Sequence, residues 1–173
     1  MRPTRPTATP TALAAAIAIA TVLTTDALLH LFWSTGATWP AQDVTTLSYA
    51  VLGSDVPFTP PVLLPLATML LTGSALVVAR ARLGRRHRLG RLLQAATLAV
   101  GCGTAVRGLA GVAWAFGVRA GLDDGAGDTF YWLNLALYTP LCLAMSLAAF
   151  RLAATDGSTK NETVTEEAPA RVR

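Results

Sequence analysis

The chain has 173 residues, of which 53% are hydrophobic and only 14% charged, with a formal net charge of +4 and a mean hydropathy of +0.47. An ordinary soluble domain carries about 25% charged residues, and a small one needs proportionally more polar surface, so lipid is the expected solvent. Six of the fourteen basic residues fall in one short loop, which argues against nucleic acid as a partner, and two distant cysteines exclude a disulfide framework and a zinc ribbon.

Residues 1–10 are rich in Pro and Thr and read as a disordered tail. The first apolar run, Thr11–Trp33, is long enough to cross a bilayer, which takes about 20 residues. Arg2 and Arg5 ahead of it resemble the start of a signal peptide. The apolar character continues through Leu28 to Trp33, so the segment reads as a retained span. Within it Asp26 and His30 are four residues apart, hence on one helix face, and Trp33 extends that face.

A long outer loop follows, from Ser34 to Pro60. Trp39, Tyr49, Phe58 and the apolar stretch Leu47 to Leu52 suit a segment lying at the membrane interface, where Trp and Tyr are enriched. Such a segment reads either as an anchor or as a cap over a polar pocket. The second span is Pro61–Ala79, and Pro61 suits a first helical turn, where its missing N–H costs nothing. The next loop holds Arg80, Arg82, Arg85, Arg86, Arg88 and Arg91. It reads as a topology signal, with an anionic-headgroup patch as the sharper alternative.

The third span, Leu92–Val118, carries Arg107 with Gly103 and Gly111 four residues to either side. Small residues let a neighbouring helix come close, so the guanidinium is expected in a glycine groove facing the bundle. Asp123, Asp124 and Asp128 mark the second outer loop. The fourth span, Phe130–Phe150, places Asn134 and Tyr138 on one face, and residues 155–173 read as a second disordered tail. The sequon at Asn161 would lie on a tail that never meets the glycosylating enzyme. The fold class is therefore an all-α membrane protein: a four-helix bundle over residues 11–154 with a long first outer loop.

Orientation follows from ten basic residues near the membrane on one side against Arg119 alone on the other. The positive-inside rule places both termini and the arginine loop in the cytoplasm, and the Ala- and Arg-rich composition has the style of a high-GC bacterium. The expected location is thus a bacterial inner membrane. Counted from the cytoplasmic side, Asp26 and Arg107 each lie roughly 22 Å deep. Asn134 and Tyr138 fall in the same outer half. Charged groups at mid-bilayer cost about 2.5–3.5 kcal/mol on insertion scales, so Asp26 is expected to pair with Arg107.

Two uses of such a cluster compete. One is an internal clamp in a structural subunit, which satisfies polar groups that lipid cannot. The other is a polar site of Asp26, His30, Trp33, Arg107, Asn134 and Tyr138 that holds a small anionic or amphiphilic ligand. An enzymatic variant would use His30 and Asp26 for proton transfer on a lipid-like substrate. No catalytic motif, metal site or cofactor site is evident: a bis-histidine haem lacks a second intramembrane His, and no CxxC occurs. Cys102 and Cys142 read as small apolar residues.

Several segments together resemble a family of small bacterial membrane proteins known as domain of unknown function 3995. They are Leu29-His30-Leu31-Phe32-Trp33 followed by Gly36, Val51-Leu52-Gly53, Arg107-Gly108, and Asn134-Leu135-Ala136-Leu137-Tyr138-Thr139-Pro140-Leu141-Cys142. The resemblance implies a four-helix integral membrane protein and brings no activity with it.

Overall fold

The computed structural model describes residues 9–155 apart from residue 86. The two tails expected to be disordered lie almost wholly outside the described residues, as do the Asn161 sequon and Arg86. Five helices make up the described chain. They are α1 (Pro10–Ser34), α2 (Val44–Leu52), α3 (Pro60–Leu83), α4 (Gly90–Ala115) and α5 (Asp128–Ala154). All but α2 are long and apolar enough to cross a membrane. The chain is a multi-pass, all-helical membrane protein.

Local chemistry sets the helix ends. Thr9 caps α1 by accepting the Ala12 N–H at 3.4 Å, with Pro10 in the first turn. Proline likewise opens α3, at Pro60 and Pro61, because a first-turn residue has no intrahelical N–H bond to lose. Gly53 closes α2 at φ 70°, a left-handed conformation that favours glycine. The α3 helix runs past the apolar stretch into the arginines and ends at Leu83. Arg80 and Arg82 therefore occupy its last turn, where positive charge suits the helix dipole.

The four long helices pack as a ring: α1 on α3, α3 on α4, α4 on α5, and α5 back on α1, with this last contact the slightest. Helices α1 and α4 are thus diagonal. Small residues set the close approaches. On α1, Ala12, Ala16, Ile19, Leu23 and Ala27 form one buried stripe. On α4, a Cβ at Gly101 would meet Phe150, and one at Gly108 would meet Leu143 of α5. At the end bearing the α3–α4 loop, one core joins Ala12, Ala16, Ile19 and Leu23 of α1 to Val77 of α3 and to Met145, Ala149 and Leu152 of α5. At the opposite end a second core gathers Trp33, Leu47, Phe58 and Leu63. It contains no α5 residue.

The long first loop folds into a cover. Asp43 caps α2, accepting the Thr46 N–H at 2.7 Å, and Leu47 and Ser48 of α2 are buried. Trp39 remains 69% exposed, as an interfacial anchor would be. The loop after α2 and the loop after α4 are tied through Asp123. Its N–H donates to Gly53 O at 3.0 Å, and its Oδ2 accepts the Asp55 N–H at 2.9 Å.

Candidate functional site

The feature of α5 that builds the site is a widened turn. Across Asn134–Tyr138 the helix is π-helical, with the Thr139 N–H reaching back five residues to Asn134 O. Pro140 follows at once. A helical proline has no N–H for the carbonyl four residues back, and its ring crowds that carbonyl. A wider turn relieves the crowding. π-Turns occur mostly as such single bulges and often at functional sites.

This turn aims Asn134, 1% exposed, into α4. Its Nδ2 donates to Gly111 O at 3.0 Å, and its Oδ1 accepts from Arg107 Nη1 at 3.0 Å. The approach depends on glycine: a Cβ at Gly111 would collide with Thr139 Oγ1 and stand 2.9 Å from Asn134 Oδ1. Thr139 Oγ1 is buried and makes no hydrogen bond among the described residues.

Arg107 itself is half-buried. Its guanidinium carbon lies 4.9 Å from the centroid of the Trp114 ring and 5.4 Å from that of Tyr138. Aromatic faces attract a cation electrostatically, more so when it is desolvated. Among the described residues no carboxylate lies within ion-pair distance of Arg107. Two rings and one amide oxygen thus hold a cation that has no counter-charge among the described residues.

The expected pairing of Asp26 with Arg107 does not occur. The two residues lie on diagonal helices, so equal depth does not bring them together. Asp26 turns instead to its own helix: its Oδ1 is 3.4 Å from His30 Nδ1, and its side chain is 48% exposed. The nearer acceptor for that ring nitrogen is the Asp26 carbonyl, at 2.8 Å. A carbonyl only accepts, so Nδ1 carries the proton and Nε2 has no hydrogen-bond partner among the described residues.

Trp33 stays beside His30. It is buried against Phe58, its ring stands 5.5 Å from His30, and its Nε1 donates to Trp39 O at 2.9 Å. Its role is to hold the outer core. Gly103 also departs from expectation, since nothing lies near a Cβ built there; the groove beside Arg107 is made by Gly108 and Gly111. Cys102 and Cys142 are both free, and no cluster of metal-ligating side chains occurs among the described residues.

Sequence reasoning missed Trp114 and Thr139. Trp114 lies seven residues beyond Arg107 on the same helix, a spacing that returns to the same face after two turns, so that signal was present. Thr139 is placed by the π-turn and carried no such signal. Between the end of α4 and the start of α5 lies a cavity of about 220 Å³, lined in part by Trp114, Arg119, Phe130, Tyr131 and Asn134. Two of those residues, Trp114 and Asn134, also touch Arg107, which does not itself line the cavity.

The model of one family, described as Protein of unknown function (DUF3995), matches residues 22–149. Every residue of the polar group falls inside that range. No curated protein and no solved structure matches the chain.

Proposed function

The chain belongs to the DUF3995 family, and within it we propose that this multi-pass membrane protein binds a small anionic or amphiphilic ligand at Arg107. The site lies in the outer half of a bacterial inner membrane, with both termini and the arginine loop in the cytoplasm. The observation that carries the reading is the state of Arg107: a half-buried guanidinium with one hydrogen bond, two aromatic faces and no carboxylate. Guanidinium has five N–H donors in a planar fork, and that fork matches phosphate or carboxylate in a bidentate contact. A cation desolvated in a membrane favours any anion that reaches it. A purely structural clamp would have joined Asp26 to Arg107, and the two are not joined. The ten-to-one basic asymmetry supports the orientation.

The test uses the detergent-extracted full chain and native mass spectrometry with phosphatidylglycerol as probe. A charged hydrogen bond contributes about 1.5–3 kcal/mol, and 1.4 kcal/mol is tenfold in affinity. Arg107→Gln should therefore weaken retention of this lipid about tenfold or more. Equal retention by parent and variant would remove the reading.

A further inference from the structure

The arginine loop and one face of α3 take no part in the Arg107 site, and together they carry a second one. Along α3 runs a groove of about 510 Å³. Ser74, Ala75 and Ala79 hollow it out between Leu71 at one end and Arg82 and Leu83 at the other. Spacings of three and four residues keep these side chains on one helix face. At 1.5 Å per residue the stretch from Leu71 to Leu83 is about 18 Å long. That is close to one leaflet of a bilayer whose hydrocarbon core is about 30 Å thick.

The side chains in the middle of the groove offer an occupant no free polar group. The Ser74 hydroxyl is engaged with α1, 3.0 Å from Thr24 Oγ1 and donating to Ala20 O at 3.2 Å. The end of the groove is different. Arg82 is exposed in the last turn of α3, and Arg88 and Arg91 are exposed in the loop and in the first turn of α4. None of the three has a carboxylate within ion-pair distance among the described residues, and residues 80–91 contain no Asp or Glu. The C-terminus of α3 contributes about half a negative charge, which the start of α4 offsets with about half a positive one; no side chain caps that start. An apolar groove one leaflet long thus ends in uncompensated guanidinium charge.

We infer that this groove holds an acyl chain of an anionic glycerophospholipid from the leaflet on the arginine-loop side, with the headgroup phosphate on Arg82. Methylene groups laid over Ala75 and Ala79 gain dispersion contacts on more than one side. The guanidinium fork matches a phosphate through parallel N–H donors. Arg88 and Arg91 add positive potential that favours a net negative headgroup over a zwitterionic one. A water-borne phosphate shares the headgroup chemistry but leaves the apolar groove unfilled. A second copy packed here about a two-fold axis along the membrane normal would set Arg82 against Arg82. The site is independent of the reading of Arg107.

The groove is open to the bilayer along its length, so its lipid exchanges there and is shed on extraction; the experiment therefore reads it in place. The full chain in phosphatidylcholine nanodiscs receives a trace of phosphatidylglycerol with a photoactivatable diazirine in one acyl chain, and labelled peptides are identified by mass spectrometry. Label should fall on residues 71–83 and exceed that from a phosphatidylcholine probe of identical chains by about fivefold, the effect of one arginine beside an anionic headgroup. Arg82→Gln should lower that preference about fivefold. Ala75→Phe, which fills the groove and keeps the charge, should reduce labelling of this segment by both probes. Arg107→Gln should change neither. Equal labelling by the two probes in the parent, a comparison that needs no variant, overturns the inference, as does a preference unmoved by Arg82→Gln or labelling unmoved by Ala75→Phe. Millimolar inorganic phosphate should leave the label in place; its loss would assign the arginines to a water-borne anion and overturn the lipid. A parent dimer that Ala75→Phe separates would give the face to a second copy and overturn it too. Ala75 and Arg82 are both exposed, so each variant should unfold near the parent's melting temperature, which thermal unfolding in detergent checks.

Discussion

The bundle buries an arginine at each end and treats the two in opposite ways. Arg80, at the last turn of α3, is 2% exposed. Its Nε donates to Gln94 Oε1 at 3.0 Å, and Gln94 Nε2 passes the connection on to Ala153 O at 3.2 Å. One guanidinium thus ties α3, α4 and α5 where the apolar core is continuous. Arg107 is half-buried, held by ring faces and one amide. The first arginine is fastened into the fold, while the second is presented by it. Burial of a charge alone therefore does not mark a site. The informative difference is whether the guanidinium is fully buried between helices or left half-buried against ring faces.

Stability measurements should separate the two most strongly. Arg80→Ala removes a buried hydrogen bond to a charged donor and a long side chain packed among three helices. Thermal unfolding in detergent should show a loss of about 2–3 kcal/mol. Arg107→Met removes one hydrogen bond but also a cation that the apo protein leaves unneutralised, so the net change should stay within about 1 kcal/mol. If the Arg107 variant proved the less stable of the two, the contrast between a fastened and a presented arginine would collapse. Gly111→Ala falls between them. The new methyl would collide with Thr139, and overpacking of this kind costs about 1–3 kcal/mol. It would also push Asn134 away from Arg107, so loss of lipid retention should accompany the lower melting temperature.

The spans and their count were legible, because lipid imposes long apolar runs and permits little else. What misled was the end of the run. Hydropathy stops at Ala79, so Arg80 reads as loop, yet backbone hydrogen bonds carry α3 on to Leu83. Depth counted along the spans set Asp26 and Arg107 level. Their pairing failed because depth says nothing about order around a ring, and α1 and α4 are diagonal. The glycine face failed for a related reason: Gly103 and Gly111 are eight residues apart, and the helix rotates one toward α5 and the other into the open. The π-turn had a signal in Pro140, but a proline in a span is as readily met by a kink. No periodicity reports that choice. Helix α2 was read as an interfacial stretch because its nine residues are too few to span; its start at Asp43 was written in the capping preference for Asp.

A smaller effect concerns Asp26. An exposed or half-exposed pair is worth about 0–1 kcal/mol, so Asp26→Asn should cost less than about 1 kcal/mol, in place of the large loss that an Asp26–Arg107 bridge would impose. In a double-mutant cycle with Arg107→Met the two changes should add to within about 0.5 kcal/mol, as unlinked positions do. Strong coupling in the ligand-free protein would restore the bridge and turn the presented arginine back into a clamp.

The smallest effect sharpens the comparison from the covering side. Asp43 is solvent-exposed, and the Thr46 backbone N–H and hydroxyl that bond its carboxylate hold its pKa below the usual carboxylate range. The unfolded group titrates near 3.9. A depressed folded value means that the folded state prefers the ionised form, so the cap contributes fully above about pH 4 and is lost as pH falls through the folded value. Protonation leaves the first N–H groups of α2 short of an acceptor, and α2 is part of the cover over the outer core. Val77 lies in the apolar core at the other end of the bundle, away from the α2 cap. Amide exchange, corrected for its intrinsic pH dependence, should therefore show protection at Thr46 falling below about pH 4 while α3 at Val77 stays protected. In Asp43→Asn, whose amide caps without titrating, the same amide should be flat with pH. Loss of protection at Val77 in step with Thr46 would mean that acid unfolds the two ends together, and the division between a fastened end and a covered one would not survive it.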